Sequence, residues 1–593
     1  MEKLSENLYC IEDTCSVYAV TTTSGTILID CGTNISPEYL KKKGFPAAKN
    51  ILLTHFHRDQ CAASANFPDA EISIPFVERR FFEEPDLQRA AYDIWDNYES
   101  FYQCSGSLQD LHATYAKDYH TLNYLDLHIE VLPLPGHTFG SVGYLFSIDG
   151  YRVLACGDLL STSSKIQDYF WVQWRYMDFQ GHAHLMESIK MVEDLDVDLI
   201  LPGHGRPFSS GEMKGLLRSH LEEIYELFYG KPYSYFQPKF RLVTPHCIEV
   251  ENSSAKTYII KDDAGNAIFI DSGYVSNFPI AGSPHRYIDN LTAYLEPNLG
   301  ITNVEWFFPS HYHDDHLAGL PALRNRYNTQ VISSPELRDI LEHPECFDMP
   351  CQLPEGIPVT RTITRSENFT WRGIDFRIEQ FPGQTLYHHL ISFSVDDVRF
   401  LSIGDNLSGL CFAEKRDWIH SFIPKNRTPV SSYRDMVQQI KERKPDFLLT
   451  GHGGAIECDG DQVAHWDKWM NRWTELFTEI IDRPHPNLGM DPRFIEFYPY
   501  KLRIEPGQKV LFQLRLLNHE DRNVTSRIKF RSVDGVILNP TTAEVDILAG
   551  EQVSQPVEAV FPKVFHTHSL PILADVNWNG HHLGEVAEAV AYW

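Results

Sequence analysis

Ser310-His311-Tyr312-His313-Asp314-Asp315-His316 is the stretch from which the fold can be read. His311, His313, Asp315 and His316 crowd four metal-ligating side chains into six positions, and the chain must turn tightly to bring them to one point. Imidazole nitrogens with a carboxylate oxygen suit zinc, and also iron or manganese. The apolar run Val304-Glu305-Trp306-Phe307-Phe308-Pro309 just before it reads as a buried strand. The histidines therefore sit on a strand-end loop, where chemistry is commonly placed.

The stretch has an earlier echo. Ile51 to Thr54 is a second strand, followed by His55-Phe56-His57-Arg58-Asp59-Gln60. His55, His57 and Asp59 match His311, His313 and Asp315, while Gln60 stands where His316 would be. The echo extends along the chain. Ser16 to Thr33 reads as two strands joined at a Ser-Gly turn, and Thr257 to Gly273 repeats them. The strand Ile129 to Leu134 leads to Pro135-Gly136-His137-Thr138, which returns as Pro382-Gly383-Gln384-Thr385. Gly157-Asp158 returns as Gly404-Asp405, and Gly203-His204-Gly205 as Gly451-His452-Gly453. The distance from His137 to Asp158 is 21 residues, as is that from Gln384 to Asp405. Asp158 precedes His204 by 46, and Asp405 precedes His452 by 47. Unrelated loops would not keep this register, so the chain contains one fold twice.

Both histidine tracts resemble the His-x-His-x-Asp-His motif of the metallo-β-lactamase fold superfamily, a group of metal-dependent hydrolases. The resemblance implies an α/β fold: two tandem αββα sandwiches, over 1–235 and 236–485. It also implies ligands for a pair of metal ions in each copy. In the first copy these are His55, His57 and His137 for one ion, and Asp59 and His204 for the other, with Asp158 between them. Gln60 replaces the remaining histidine. In the second copy they are His311 and His313, then Asp315, His316 and His452, with Asp405 between. Here Gln384 replaces the histidine of the first set, and His388 lies four residues on. One or two ions per domain are expected, zinc first, with iron or manganese as alternatives. Such an ion lowers the pKa of its water from 15.7 toward about 7 and polarises the attacked oxygen. Asp59 and Asp315, beside that water, are the candidate catalytic groups. No Gly-x-Ser-x-Gly elbow occurs. The expected substrate is a small molecule with an ester, thioester, lactone or phosphodiester bond. The two glutamines support an alternative, in which one or both copies have become structural or ligand-binding domains.

The composition sets further bounds. At 593 residues the chain is too long for one domain. Its formal charge of −28 repels phosphate backbones, so no nucleic-acid partner is expected and a nuclease is the lesser alternative. No apolar run long enough to span a membrane appears, and the start lacks a signal-like segment, so a cytoplasmic location is expected. The 11 cysteines are scattered without a Cys-x-x-Cys pair, which favours free thiols. Residues 76 to 125 look helical, notably Ala90 to Tyr98. Trp171, Trp174, Tyr176 and His182 either wall a pocket or pack the core. Trp466, Trp469, Trp473 and Phe477 fall at helical spacing and read as a packing helix. Pro484-His485-Pro486 marks a linker. From 486 to 593, short alternating strands between turn residues predict an all-β sandwich resembling immunoglobulin-like modules. His566, His568, His581 and His582 there read as surface residues. This module is expected to carry no catalytic group, and a chain ending near 485 to keep its metal.

Overall fold

The structure is a computed structural model. It describes all residues except 84–112, 175–179, 231–236, 275–290, 354, 365–366, 408–424, 534, 566 and 568, and the side chains of 180 and 229. It divides into two compact units, Met1–Gln237 with Phe278–Ala293 and Pro238–Asn277 with Tyr294–Trp593.

In the first unit, a seven-stranded sheet runs in chain order from Glu2–Lys3 to Ala113–Ala116. Its early strands pair antiparallel. From Thr26–Ile29 onward, the strands Ala48–Leu52, Glu71–Pro75 and Ala113–Ala116 join in parallel. A six-stranded sheet faces it, with Tyr151–Gly157 and Leu199–Pro202 as its parallel pair. Strand alternation explains the layering. Ile27 and Ile29 point between the sheets, against Val131, Tyr144 and Val153. Leu28 points the other way, into a cluster with Leu40 of the helix Pro37–Lys42. Leu154 and Ile200 face outward beneath Leu185, Ile189 and Leu221 of the helices Gln180–Asp194 and Leu216–Tyr229. The result is an αββα sandwich.

Part of the expected helical run departs from that expectation. Ala113–Ala116 and Thr121–Tyr124 are strands, because Ala113–Ala116 extends the parallel edge beside Glu71–Pro75 and Thr121–Tyr124 pairs with Leu127–Pro133. Ala90 to Tyr98 lies outside the described residues.

The second unit repeats the sandwich with seven- and six-stranded sheets. Ile268, Ile270, Phe308, Phe376 and Ile391 fill the space between them. The tryptophan-spaced segment is the helix Gly460–Ile480, capped by the Asp459 side chain. Its Trp466 is fully buried against Tyr433 and Leu448, whereas Trp469 is 38 % exposed, so the helix packs through one face. An all-β module follows in the same unit, a four-stranded sheet facing a five-stranded one. Phe512, Leu514 and Val557 of one sheet meet Ile528, Ile572 and Val576 of the other. Asn579 and Gly580, both at positive φ, close the hairpin between Ser569–Trp578 and His581–Tyr592, as a tight two-residue turn requires. His581 and His582 are exposed. Among the described residues, no helix is long and apolar enough to cross a membrane.

Candidate metal centres

Each candidate ligand of the first unit lies just beyond a strand end, and the ends collect at one edge of the two sheets. His55, His57, His137 and Asp158 are all buried, and each offers a ligand atom within 4.8 Å of the others. The His137 Nε2 atom lies 3.0 Å from His57 Nδ1 and 3.4 Å from Asp158 Oδ2. The His55 Nε2 atom lies 3.6 Å from the same carboxylate oxygen. On the other side of Asp158, His204 joins it to Asp59: its Nδ1 is 3.0 Å from Asp158 Oδ1 and its Nε2 is 3.1 Å from Asp59 Oδ2. Gln60 fills the space that a further histidine would take. Its amide donates to both oxygens of Asp158, at 3.0 and 3.1 Å.

The surrounding bonds set the protonation of the histidines. Thr54 Oγ1 donates to Asp30 and sits 3.1 Å from His55 Nδ1. With its proton given to Asp30, the hydroxyl accepts from Nδ1–H, which leaves the His55 Nε2 lone pair facing the centre. That Nε2 atom is buried and has no hydrogen-bond partner among the described residues. Burial lowers the His55 pKa to about 4 and holds His57 well below the ordinary range, so both rings are neutral, as a metal ligand must be. Burial also works against protonation of His204, but its bonds to Asp158 and Asp59 prevail and raise it to about 10. A cation is thus favoured beside this carboxylate pair. Three imidazoles and a carboxylate suit zinc, iron or manganese, and the first centre fits a metal.

The second unit brings its candidates together in two groups: His311, His313 and Asp405; and Asp315, His316 and His452. The Asp405 Oδ1 atom lies 3.1 Å from His316 Nε2 and 3.3 Å from His452 Nε2. Asp315 Oδ2 lies 3.5 Å from His452 Nε2. Outer bonds again orient the rings: His316 Nδ1 lies 2.8 Å from Asp271, and His452 Nδ1 donates to the Ser254 carbonyl at 2.8 Å. Gln384 donates to Asp405 Oδ2 at 3.0 Å. The two centres are therefore mirror variants. Each has a glutamine amide bonded to its central aspartate, Gln60 on one flank of Asp158 and Gln384 on the opposite flank of Asp405. The ring of His388 stacks on that of His311 with centroids 4.1 Å apart, and its Nε2 accepts the Asp405 backbone N–H at 3.3 Å. It supports the centre from behind.

Trp171 stands 4.4 Å, ring to ring, from His57 and is only half-buried, so it walls the first centre. Trp174 instead donates to the Gly136 carbonyl and stacks on His184. His182 is buried against the Leu221 carbonyl. Both pack structure around the centre, and Tyr176 lies outside the described residues. Sequence reading missed Glu78. Its buried carboxylate accepts from the backbone N–H groups of Phe56 and Gly140 and from the Thr138 hydroxyl, tying together the two loops that carry His55, His57 and His137. A lone glutamate between a strand and a helix gives no pattern by which to single it out.

A family model described as the metallo-beta-lactamase superfamily matches residues 11–204 and 252–452. A metallo-beta-lactamase family protein of Thermus thermophilus is similar at 20 % identity, over 38 % of this chain and 81 % of that one, with a TM-score of 0.31. A subclass B3 metallo-beta-lactamase of Bradyrhizobium japonicum is similar at 18 % identity, over 39 % and 93 %, with a TM-score of 0.29. An enzyme of Cronobacter sakazakii is similar at 15 % identity, over 41 % and 95 %, with a TM-score of 0.31. Likeness at these identities is one of fold alone. No curated protein matches the chain.

Proposed function

Because the chain belongs to the metallo-beta-lactamase superfamily, its family model covering both sandwich units, we propose that it is a metal-dependent hydrolase of a small molecule, with the catalysis in the first unit. The observation that carries this reading is the enclosed set of His55, His57, His137 and Asp158, with His55 Nε2 buried, neutral and pointing inward. These residues would hold a divalent cation. Such a cation lowers the pKa of a water molecule and polarises the bond under attack.

The chain's own groups supply the rest. Asp59, partly exposed and 3.1 Å from His204, can orient a water molecule and accept its proton, while His204 links Asp59 to Asp158 at 3.0 Å and keeps both carboxylates in place. Gln60 fixes the Asp158 carboxylate from the other side. Trp171 offers an aromatic face over His57 and restricts solvent. The bond broken is an ester, thioester, lactone or phosphodiester, and the location is cytoplasmic in this reading. In the second unit, Asp315, His316, His452 and Asp405 favour the opposite metal position, with Asp315 in the place of Asp59. Gln384, bonded to Asp405, supports a second reading in which that unit binds a metal or ligand without turning substrate over.

Elemental analysis after dialysis, combined with a panel of the four bond types, tests the proposal. The expected result is about one zinc, iron or manganese ion per centre and turnover that chelation abolishes. Metal at background level even after reconstitution would rule the proposal out.

A further inference from the structure

We propose that the C-terminal β-module is a positioning element of the second metal centre, acting through Arg427. The proposal rests on reading that centre as a metal site. The Arg427 side chain is 3 % exposed and Asp491 is fully buried. Arg427 Nε and Nη2 donate to the two oxygens of Asp491 at 3.1 Å each, and Nη1 donates to Glu496 at 3.2 Å. On the module side, His519 Nε2 holds the same Asp491 carboxylate at 2.8 Å. Phe494 and Ile495, between the two acids, are part of the module's own apolar core. The acids are thus fixed to the sandwich, and Arg427 is fixed to them.

Arg427 passes this position on in two directions. Its carbonyl accepts from Leu386 N–H at 2.6 Å, its Nη1 donates to Tyr387 at 3.4 Å, and the neighbouring Thr428 hydroxyl donates to the Gly383 carbonyl. Together these brace both sides of Gln384, whose amide holds Asp405. In the other direction, Asn426 Oδ1 accepts from the Tyr312 hydroxyl at 2.9 Å and from His313 Nε2 at 3.4 Å. A second route starts from the same module segment. Arg493 pairs with Asp348, three residues before Cys351, whose carbonyl accepts from Asp314 N–H at 2.7 Å. Outer-sphere partners of metal ligands set ring orientation and metal affinity. The planar, two-pronged guanidinium grip suits such a role better than a lysine would. The module is then no separable appendage, against the sequence expectation for a chain ending near 485.

The test uses the full chain with His55→Ala, His137→Ala and Asp158→Ala, which removes ligands of both ions of the first centre, so that added Co2+ or Zn2+ reports on the second centre. Introducing Arg427→Met should weaken Co2+ binding about 10- to 100-fold and change the Co2+ ligand-field absorption, while circular dichroism shows a folded chain. Arg427→Lys should recover only part of both. A folded Arg427→Met chain with Co2+ affinity within about twofold of its parent and an unchanged spectrum overturns the proposal. Hydrogen exchange on the parent needs no destabilising change at Arg427 and uses the reciprocity of linkage. Zn2+ should slow amide exchange in residues 491–498 as well as in 311–316. Slowing confined to 311–316 overturns the proposal. No binding of either ion in the parent overturns the metal reading of the second centre, and the proposal with it.

Discussion

Replacing Gln60 with histidine should change the metal content of the first centre and lower stability only in the absence of metal. Gln60 is fully buried, and its amide makes two bonds to the Asp158 carboxylate, at 3.0 and 3.1 Å. A hydrogen bond to a charged group contributes about 1.5–3 kcal/mol. The metal-free variant should lose roughly that amount, because Asp30, the partner that would anchor a new imidazole, is already taken by Thr54. For a domain of this size each kcal/mol moves the Tm by about 2–4 °C, so a drop of about 3–12 °C is expected. With zinc at about 100 times its Kd, binding stabilises by about 2.7 kcal/mol and closes the gap. Thermal unfolding with and without zinc, and elemental analysis of the same samples, measure both effects. The expected outcome is about one extra ion per chain and a Tm deficit that disappears in zinc. A folded variant with the parent's metal content and the same deficit in zinc would refute the reasoning.

His55→Ala should abolish both turnover and first-centre metal, whereas His311→Ala should lower metal content or stability and spare turnover; assaying the two side by side decides, and the opposite pattern would exchange the roles of the units. Glu78→Gln should cost about 1–3 kcal/mol, because it replaces an acceptor for three donors with an amide that carries a donor of its own; it should also weaken first-centre metal affinity, and an unchanged Tm and affinity would show that Glu78 does not brace the loops. Burial raises the Asp491 pKa, but Arg427 and His519 outweigh it and bring the group down to about 2 from an ordinary 3.8. A depressed carboxylate stabilises the fold fully above its unfolded pKa, and the contribution fades as pH falls through the folded value. In denaturant titrations, the stability gap between the parent and Asp491→Asn should therefore narrow below about pH 4; a gap that stays constant down to about pH 2.5 would contradict the assignment.

The sandwich repeat could be read from the chain because its ligand loops are short, contiguous and tied to strand ends. His55 to Gln60 and His311 to His316 each announce themselves within six residues, and the matched intervals to Asp158 and Asp405 do the rest. The mirrored glutamines were visible as departures. That each donates its amide to the central aspartate was not, because an amide can turn either face to a neighbour. Glu78 and Arg427 were hidden for another reason. Glu78 meets Thr138 across 60 residues of sequence and Arg427 meets Asp491 across 64, and nothing local separates a buried bracing charge from an exposed one. The parallel edge strand Ala113–Ala116 was read as helical because its pairing partner, Glu71–Pro75, lies far back in the chain.

The opposed glutamines also have a genetic meaning. Glutamine and histidine codons differ only in their third base, so either centre regains its missing imidazole through a single-base change, at Gln60 or at Gln384. Random mutagenesis of the gene can reach each repair through one transversion, on a backbone that already presents the other ligands. The two halves of the chain thus form a matched pair of starting points for selecting new metal stoichiometries, with each half serving as the internal control for the other.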